Sequence, residues 1–281
     1  MARLEEALAA PRRSGADGAL LLALCGAGRG LRASGTLLAL LVAWEAFARS
    51  GAVSSFLLPA FSTVCARIWQ DAVSGDLAVN LGDTLYRTVI GFAIAASGGV
   101  VIGILIARNR VARWFFDPLV SVAFPMPKIA FLPIFMLWFG LYDFSKITMI
   151  AFNAIFPVII ATVTSTEGAE KELLWSARSL GAGERRLLWE IVLPAASPQI
   201  LTGLQVALPV SMIVTIVTEV LMGGPGIGGA MIQASRFADS PGVFAGIVEI
   251  GVAGLVLVKG MAVLRRHLLR WHQEAQEPTT V

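Results

Sequence analysis

The chain has 281 residues, of which 56% are hydrophobic and 15% charged, with a net charge of +3. Soluble domains carry about 25% charged residues, so an ordinary soluble enzyme is excluded. Long uncharged stretches account for the deficit, because hydrocarbon solvates neither ions nor unpaired backbone groups. The small basic excess reads as loops flanking membrane spans, not as nucleic-acid binding. Cys25 and Cys65 make no framework, and His267 and His272 do not share a helical face as metal ligands would.

Residues 1–33 form an N-terminal tail whose first 18 residues mix charges with Ala, Pro and Gly, with an apolar run only later, and no cleavable secretion signal is evident. Residues 34–84 hold a first span, Ser34 to Arg49, and an external segment in which Val64, Ile68 and Val73 predict a short amphipathic helix, an outer cap or a surface anchor. The core is 85–264. Its first span, Leu85 to Ala107, carries Gly91, Ala95, Ala96, Gly98, Gly99 and Gly103, small residues that let neighbouring helices approach closely in a bilayer. Further spans are expected over Trp114 to Phe139, interrupted by Pro125, Pro127, Lys128 and Pro133, then Ile147 to Val163, Ile200 to Leu221 and Val243 to Leu264. Residues 265–281 form a basic C-terminal tail.

The fold class is therefore an all-α membrane protein of about six transmembrane helices, with both termini on one side. Placing them in the cytosol gathers Arg108, Arg110, Arg113, Arg178, Arg185, Arg186, Arg265, Arg266 and Arg270 inside and leaves Arg49, Arg67, Lys146 and Arg236 outside. That asymmetry follows the positive-inside rule.

The loop 166–197, between the fourth and fifth spans, is patterned. Glu167, Glu170 and Glu172 precede a stripe of Leu173, Leu174, Ala177 and Leu180, with the acids at the positive end of a helix. Gly181-Ala182-Gly183 breaks that helix. Leu187, Leu188, Ile191 and Val192 then line a second one, which Pro194 is expected to close. The result is a helix–turn–helix bracket on the cytosolic face.

This loop resembles the coupling loop of ATP-binding-cassette importer permeases, whose pattern is E-A-A-x-x-x-G, nine intervening residues, then I-x-L-P. The corresponding positions are Trp175, Ser176, Ala177, Gly181, Ile191, Leu193 and Pro194, with Leu180 beside the glycine. Trp175 and Ser176 depart from the leading Glu and Ala, which puts in doubt any polar contact made by that Glu. Runs such as Pro125-Met126-Pro127-Lys128, Leu137-Trp138-Phe139-Gly140 and Ser145-Lys146-Ile147 are similar to the branch that carries alkanesulfonates, taurine and nitrate. The resemblance implies a multi-pass subunit of the bacterial plasma (inner) membrane. It also implies two permease copies on two ATP-binding subunits and an extracytoplasmic solute-binding protein. The chain has no G-x-x-x-x-G-K-[S/T] sequence, so ATP and Mg belong to the partner subunit and this chain binds no cofactor or metal.

Candidate path residues are Pro125, Lys128, Thr215 and Glu219, since ionisable groups inside spans are functional hypotheses by default. Lys128 either attracts an anion in a water-filled cavity or binds carbonyls at a helix break. Glu219 either closes an outer gate, pairing with a cation such as Lys128, or is a helix-end acid at the interface. Thr202, Thr215 and Thr218 offer hydroxyls to a solute or to their own helix. The Gly223–Gly229 run reads as a flexible outer loop. Glu249 and Lys259 are not partners on one turn, and Lys259 is expected to snorkel to the surface. A pyrimidine vitamin precursor is the alternative cargo. An ATPase-independent secondary transporter is the alternative class, without the inverted repeat such folds show.

Overall fold

The computed structural model describes residues 35–168 and 171–270, all helix and turn. The tail 1–33, Ser34, and the end of the C-terminal tail lie outside the described residues. The chain forms two compact units, residues 1–63 and 64–281.

In the first unit, helix α1 occupies residues 35–49. The indole of Trp44 donates to the Pro59 carbonyl at 3.0 Å, and Glu45 accepts from Arg49 at 2.5 Å and from the Ser62 amide at 3.0 Å. These bonds fold the segment after α1 back along it. Helix α2, Phe61–Ser74, starts here and continues into the second unit. It is amphipathic as expected, with Val64 fully buried, but Val73 is exposed and does not belong to the inner stripe.

The second unit continues with α3 (Asp76–Arg108), α4 (Arg110–Ala123), α5 (Leu132–Phe139), α6 (Asp143–Glu167), α7 (Lys171–Ser179), α8 (Glu184–Leu187), α9 (Leu193–Met222), α10 (Ile227–Arg236) and α11 (Ser240–Leu268). Among the described residues α3, α6, α11 and the stretch containing α9 are long and apolar enough to cross a membrane. The expected third span is two helical pieces bent by 94°. The break falls at Pro125-Met126-Pro127, where two amide donors are missing; Phe124 is still helical at φ −62° and ψ −50°, and the chain has left helical geometry by Pro127 at φ −73° and ψ 82°.

Helices α3 and α6 run parallel and in register. A Cβ on Gly91 would lie 2.5 Å from Ile150, one on Gly99 2.7 Å from Val158, and one on Gly103 2.6 Å from Thr162. With Ala95 fully buried on the same stripe, the small residues bring two backbones together where dispersion contacts replace the missing hydrophobic drive. α9 runs antiparallel to both, with Gly203 set against Ala161. Leu132, Phe135, Met149, Ile150 and Val214 form the core that joins α5, α6 and α9.

Candidate functional site

The hairpin of residues 171–193 lies at one end of this bundle. α7 ends in a Schellman turn: the Ala182 amide donates to Ala177 at 3.0 Å and the Gly181 amide to Arg178 at 2.9 Å, with Gly181 at φ +84°. A left-handed residue here satisfies the last carbonyls of α7, and glycine adopts it without the strain a Cβ brings. Nothing lies within 4 Å of where that Cβ would be, so conformation and not space selects glycine. Glu184, at the start of α8, accepts from Arg178 at 3.0 Å and from Arg108 of α3 at 2.6 Å. Leu187 and Val192 are fully buried and Leu188 and Ile191 half-buried, as the stripe predicts. Trp175 and Leu180 are 62% and 88% exposed, Ser176 and Pro194 are exposed, and Ala177 and Leu193 are half-buried.

Pro194 does not close the second helix. Residues Leu188–Val192 form a π turn, and the helix runs on through Pro194 into α9. A proline lacks an amide and its ring collides with the carbonyl four residues back. The wider π turn relieves both conflicts, so the expectation that the bracket stops there is corrected.

At the other end of the bundle is a buried polar cluster. Thr84, Arg87 and Thr88 share one face of α3, since positions three and four apart are neighbours on a helix. Arg87, 1% exposed, donates to Glu219 Oε1 on α9 at 2.7 Å, to Asp143 on α6 at 2.7 Å and to the Pro225 carbonyl at 2.7 Å. The Glu219 carboxylate, fully buried, also accepts from Thr84 at 2.9 Å and from the Gly228 amide at 3.1 Å. Lys146, 1% exposed, donates to the Gly223 carbonyl at 2.6 Å. Thr88 and Thr215 are joined at 2.9 Å. Buried charges require this degree of pairing.

Several expectations change here. Glu219 pairs with Arg87, not Lys128, and is not an interfacial acid. Lys146 is a buried helical residue, not an outer-loop cation. Thr215 and Glu219 are fully buried in the cluster, and Thr202, Thr215 and Thr218 each bond to a carbonyl of their own helix. The glycine run is not a flexible loop. It wraps the carboxylate: a Cβ on Gly226 would collide with Glu219, and one on Gly228 would sit 2.8 Å from the Ile216 carbonyl. Arg87 was legible as a lone cation within an apolar run, the signal that singled out Lys128.

Lys128 occupies the bend after exposed Pro125. Its ammonium donates to the Phe124 carbonyl at 2.9 Å and lies 5.0 Å from the Phe156 ring centroid and 5.7 Å from that of Phe124. One acceptor uses one of its three N–H bonds, and no carboxylate is within ion-pair reach among the described residues. A cavity of about 470 Å³ adjoins the bend, lined by Asp117, Ser121, Phe124 and Thr164 among others. A second, polar cavity of about 400 Å³ is lined by Arg67, Asp71, Asp239 and Glu249. An apolar cleft of about 500 Å³ separates α9 from α11. Lys259 is exposed.

A helical membrane protein with a broken span, a buried ionic cluster at one end and a two-helix bracket at the other is the architecture of a transport permease. The chain belongs to the binding-protein-dependent transport system inner membrane components, whose profile matches residues 99–271, and it is a multi-pass inner-membrane protein. SsuC of Bacillus subtilis, named for aliphatic sulfonates transport, is 32% identical over 81% of this chain and 83% of its own length. The taurine transport system permease protein TauC of Escherichia coli is 30% identical over 86% of this chain and 90% of its own. The formylaminopyrimidine transport permease protein ThiX of Halalkalibacterium halodurans is 30% identical over 84% and 94%. Among solved structures, an amino acid ABC transporter superposes with a TM-score of 0.59 at 17% identity, covering 70% of this chain and 96% of that one. At that identity the likeness speaks for the fold.

Proposed function

We propose that this chain is the membrane-spanning subunit of an ATP-driven importer for a small organic or inorganic anion of the sulfonate or nitrate kind. Two copies would sit on two ATP-binding subunits, with the bracket in the cytosol and a solute-binding protein delivering cargo at the opposite face. The chain itself would hydrolyse nothing. The observation that carries this reading is the bracket. Among the described residues Trp175 and Leu180 present exposed apolar surface, on and just after a helix whose turn is built by Gly181. Exposed apolar side chains clustered on one element mark an interaction surface. The clustering of Arg108, Arg110, Arg113, Arg178, Arg185 and Arg186 at this end supports its cytosolic placement.

An anionic cargo is favoured by Lys128, a cation near two aromatic rings that donates to the Phe124 carbonyl and pairs with no carboxylate among the described residues. TauC and SsuC support this cargo class. ThiX, at comparable identity, supports a pyrimidine precursor instead. The deciding experiment is uptake into liposomes holding the chain with its ATP-binding subunit and receptor. ATP-dependent accumulation of labelled taurine or an alkanesulfonate, competed by other sulfonates and not by a formylaminopyrimidine, is expected. Accumulation competed only by the pyrimidine would overturn the anion reading. Uptake independent of the ATP-binding subunit would overturn the importer reading itself.

A further inference from the structure

We infer that Arg87 is a positioning residue that makes the outer ends of α3, α6 and α9 one body during transport, so that a push on the bracket moves the three helices together. The direction of the push rests on the importer reading. The coupling of the helices rests on geometry alone.

Three observations carry it. The helical path from Glu184 through the π turn to Met222 has no break, so displacement of α8 is passed along α9. At the far end of α9, Arg87 bonds to α6 through Asp143, to α9 through Glu219 and to the following turn through Pro225, while Lys146 of α6 holds Gly223. Between the two ends, the glycine contacts of α3 with α6 and of α9 with α6 leave no slack for sliding, since close-packed interfaces shift between discrete arrangements and do not deform smoothly. The other long elements are tied less. α4 buries no residue, and α11 buries only Gly242, Ala245, Gly246, Ala253 and Met261. Opening and closing of a path must then occur between the three-helix body, with α5 packed on it, and α4, α11 or a second copy of the chain.

The test is a cysteine pair, Thr88→Cys with Thr215→Cys, in a chain carrying Cys25→Ser and Cys65→Ser, assembled with the ATP-binding subunit and receptor in liposomes. The two hydroxyls are 2.9 Å apart, within the reach of a disulfide. A mild oxidant should close the bridge equally fast without nucleotide and with ATP bound, and uptake should match that of the reduced complex. Bridging that occurs in one nucleotide state only, or fails in both, overturns the inference. So does loss of uptake on oxidation that a thiol reductant restores. A parent chain without the pair that shows no ATP-dependent uptake counts against the importer reading, and the bridging rates still judge the three-helix body. Arg87→Gln in the paired background should slow bridging several-fold, and Arg87→Lys should recover part of the rate. An unchanged bridging rate in Arg87→Gln would show that another contact does the positioning.

Discussion

Helix α3 carries two arginine–glutamate pairs, one about three turns in from its start and one at its last residue, and the two differ in almost everything but length. Arg87 meets Glu219 at 2.7 Å with side chains 1% and 0% exposed, whereas Arg108 meets Glu184 at 2.6 Å with 26% and 67% exposed. The first pair is enclosed by threonines, a second cation and a glycine turn. The second sits in solvent beside a hairpin whose aromatic and aliphatic side chains face outward. Equal distances therefore do not mean equal strength. Water screens the exposed pair and offers each partner an alternative, while the buried charges are held by fixed protein partners alone. One end of the bundle closes on its own charges and the other turns its side chains outward.

The largest effect should come from breaking the buried pair. Arg87→Ala leaves the buried Glu219 carboxylate without its ion-pair partner, which costs roughly 3–5 kcal/mol, and should appear as loss of folded protein and a lower Tm in detergent. A Tm change no larger than that of an exposed variant would erase the contrast between the two ends.

Overpacking the glycine seam comes next. Gly91→Val or Gly99→Val places a side chain where Ile150 or Val158 already lies, for about 1–3 kcal/mol. Thermal unfolding should show it without any effect specific to ATP. Gly181→Val strains the hairpin by about 1–2 kcal/mol yet meets no neighbour. The bundle should keep its Tm while ATPase stimulation and uptake are lost, and full coupling in this variant would argue against the bracket as the contact.

Lys128→Ala removes a cation–π contact worth about 0.5–2 kcal/mol and should lower uptake while the complex still assembles. Unchanged uptake kinetics would retire Lys128 from the path. The smallest effect belongs to Arg108→Ala, below about 1 kcal/mol, and a larger loss of stability would show that the exposed pair is not screened as its geometry suggests.

Much of the architecture was legible because its causes are local. Apolar runs long enough to cross hydrocarbon marked the spans, and Gly91, Ala95, Gly99 and Gly103 at intervals of four marked a packing face before any partner was known. The hairpin was legible for the same reason, since a Schellman turn and an amphipathic stripe are written in neighbouring residues. Pro194 misled because a proline normally ends a helix, and the π turn that accommodates it is not encoded in any single residue type. Glu219 was noticed but given the wrong cation, since both Lys128 and Arg87 interrupt apolar sequence and nothing local says which one reaches α9.

What the sequence determined by itself was the helical membrane class, the placement of most spans and the turn at Gly181. These depend on hydropathy, helix periodicity and the conformational freedom of one glycine, all of which act within a few residues. Only the tertiary structure decided that Arg87 from one helix, Asp143 and Lys146 from a second and Glu219 from a third share a site wrapped by Gly223–Gly228. Long-range pairing of charges is set by how three helices pack, and a charge in a sequence does not name its partner.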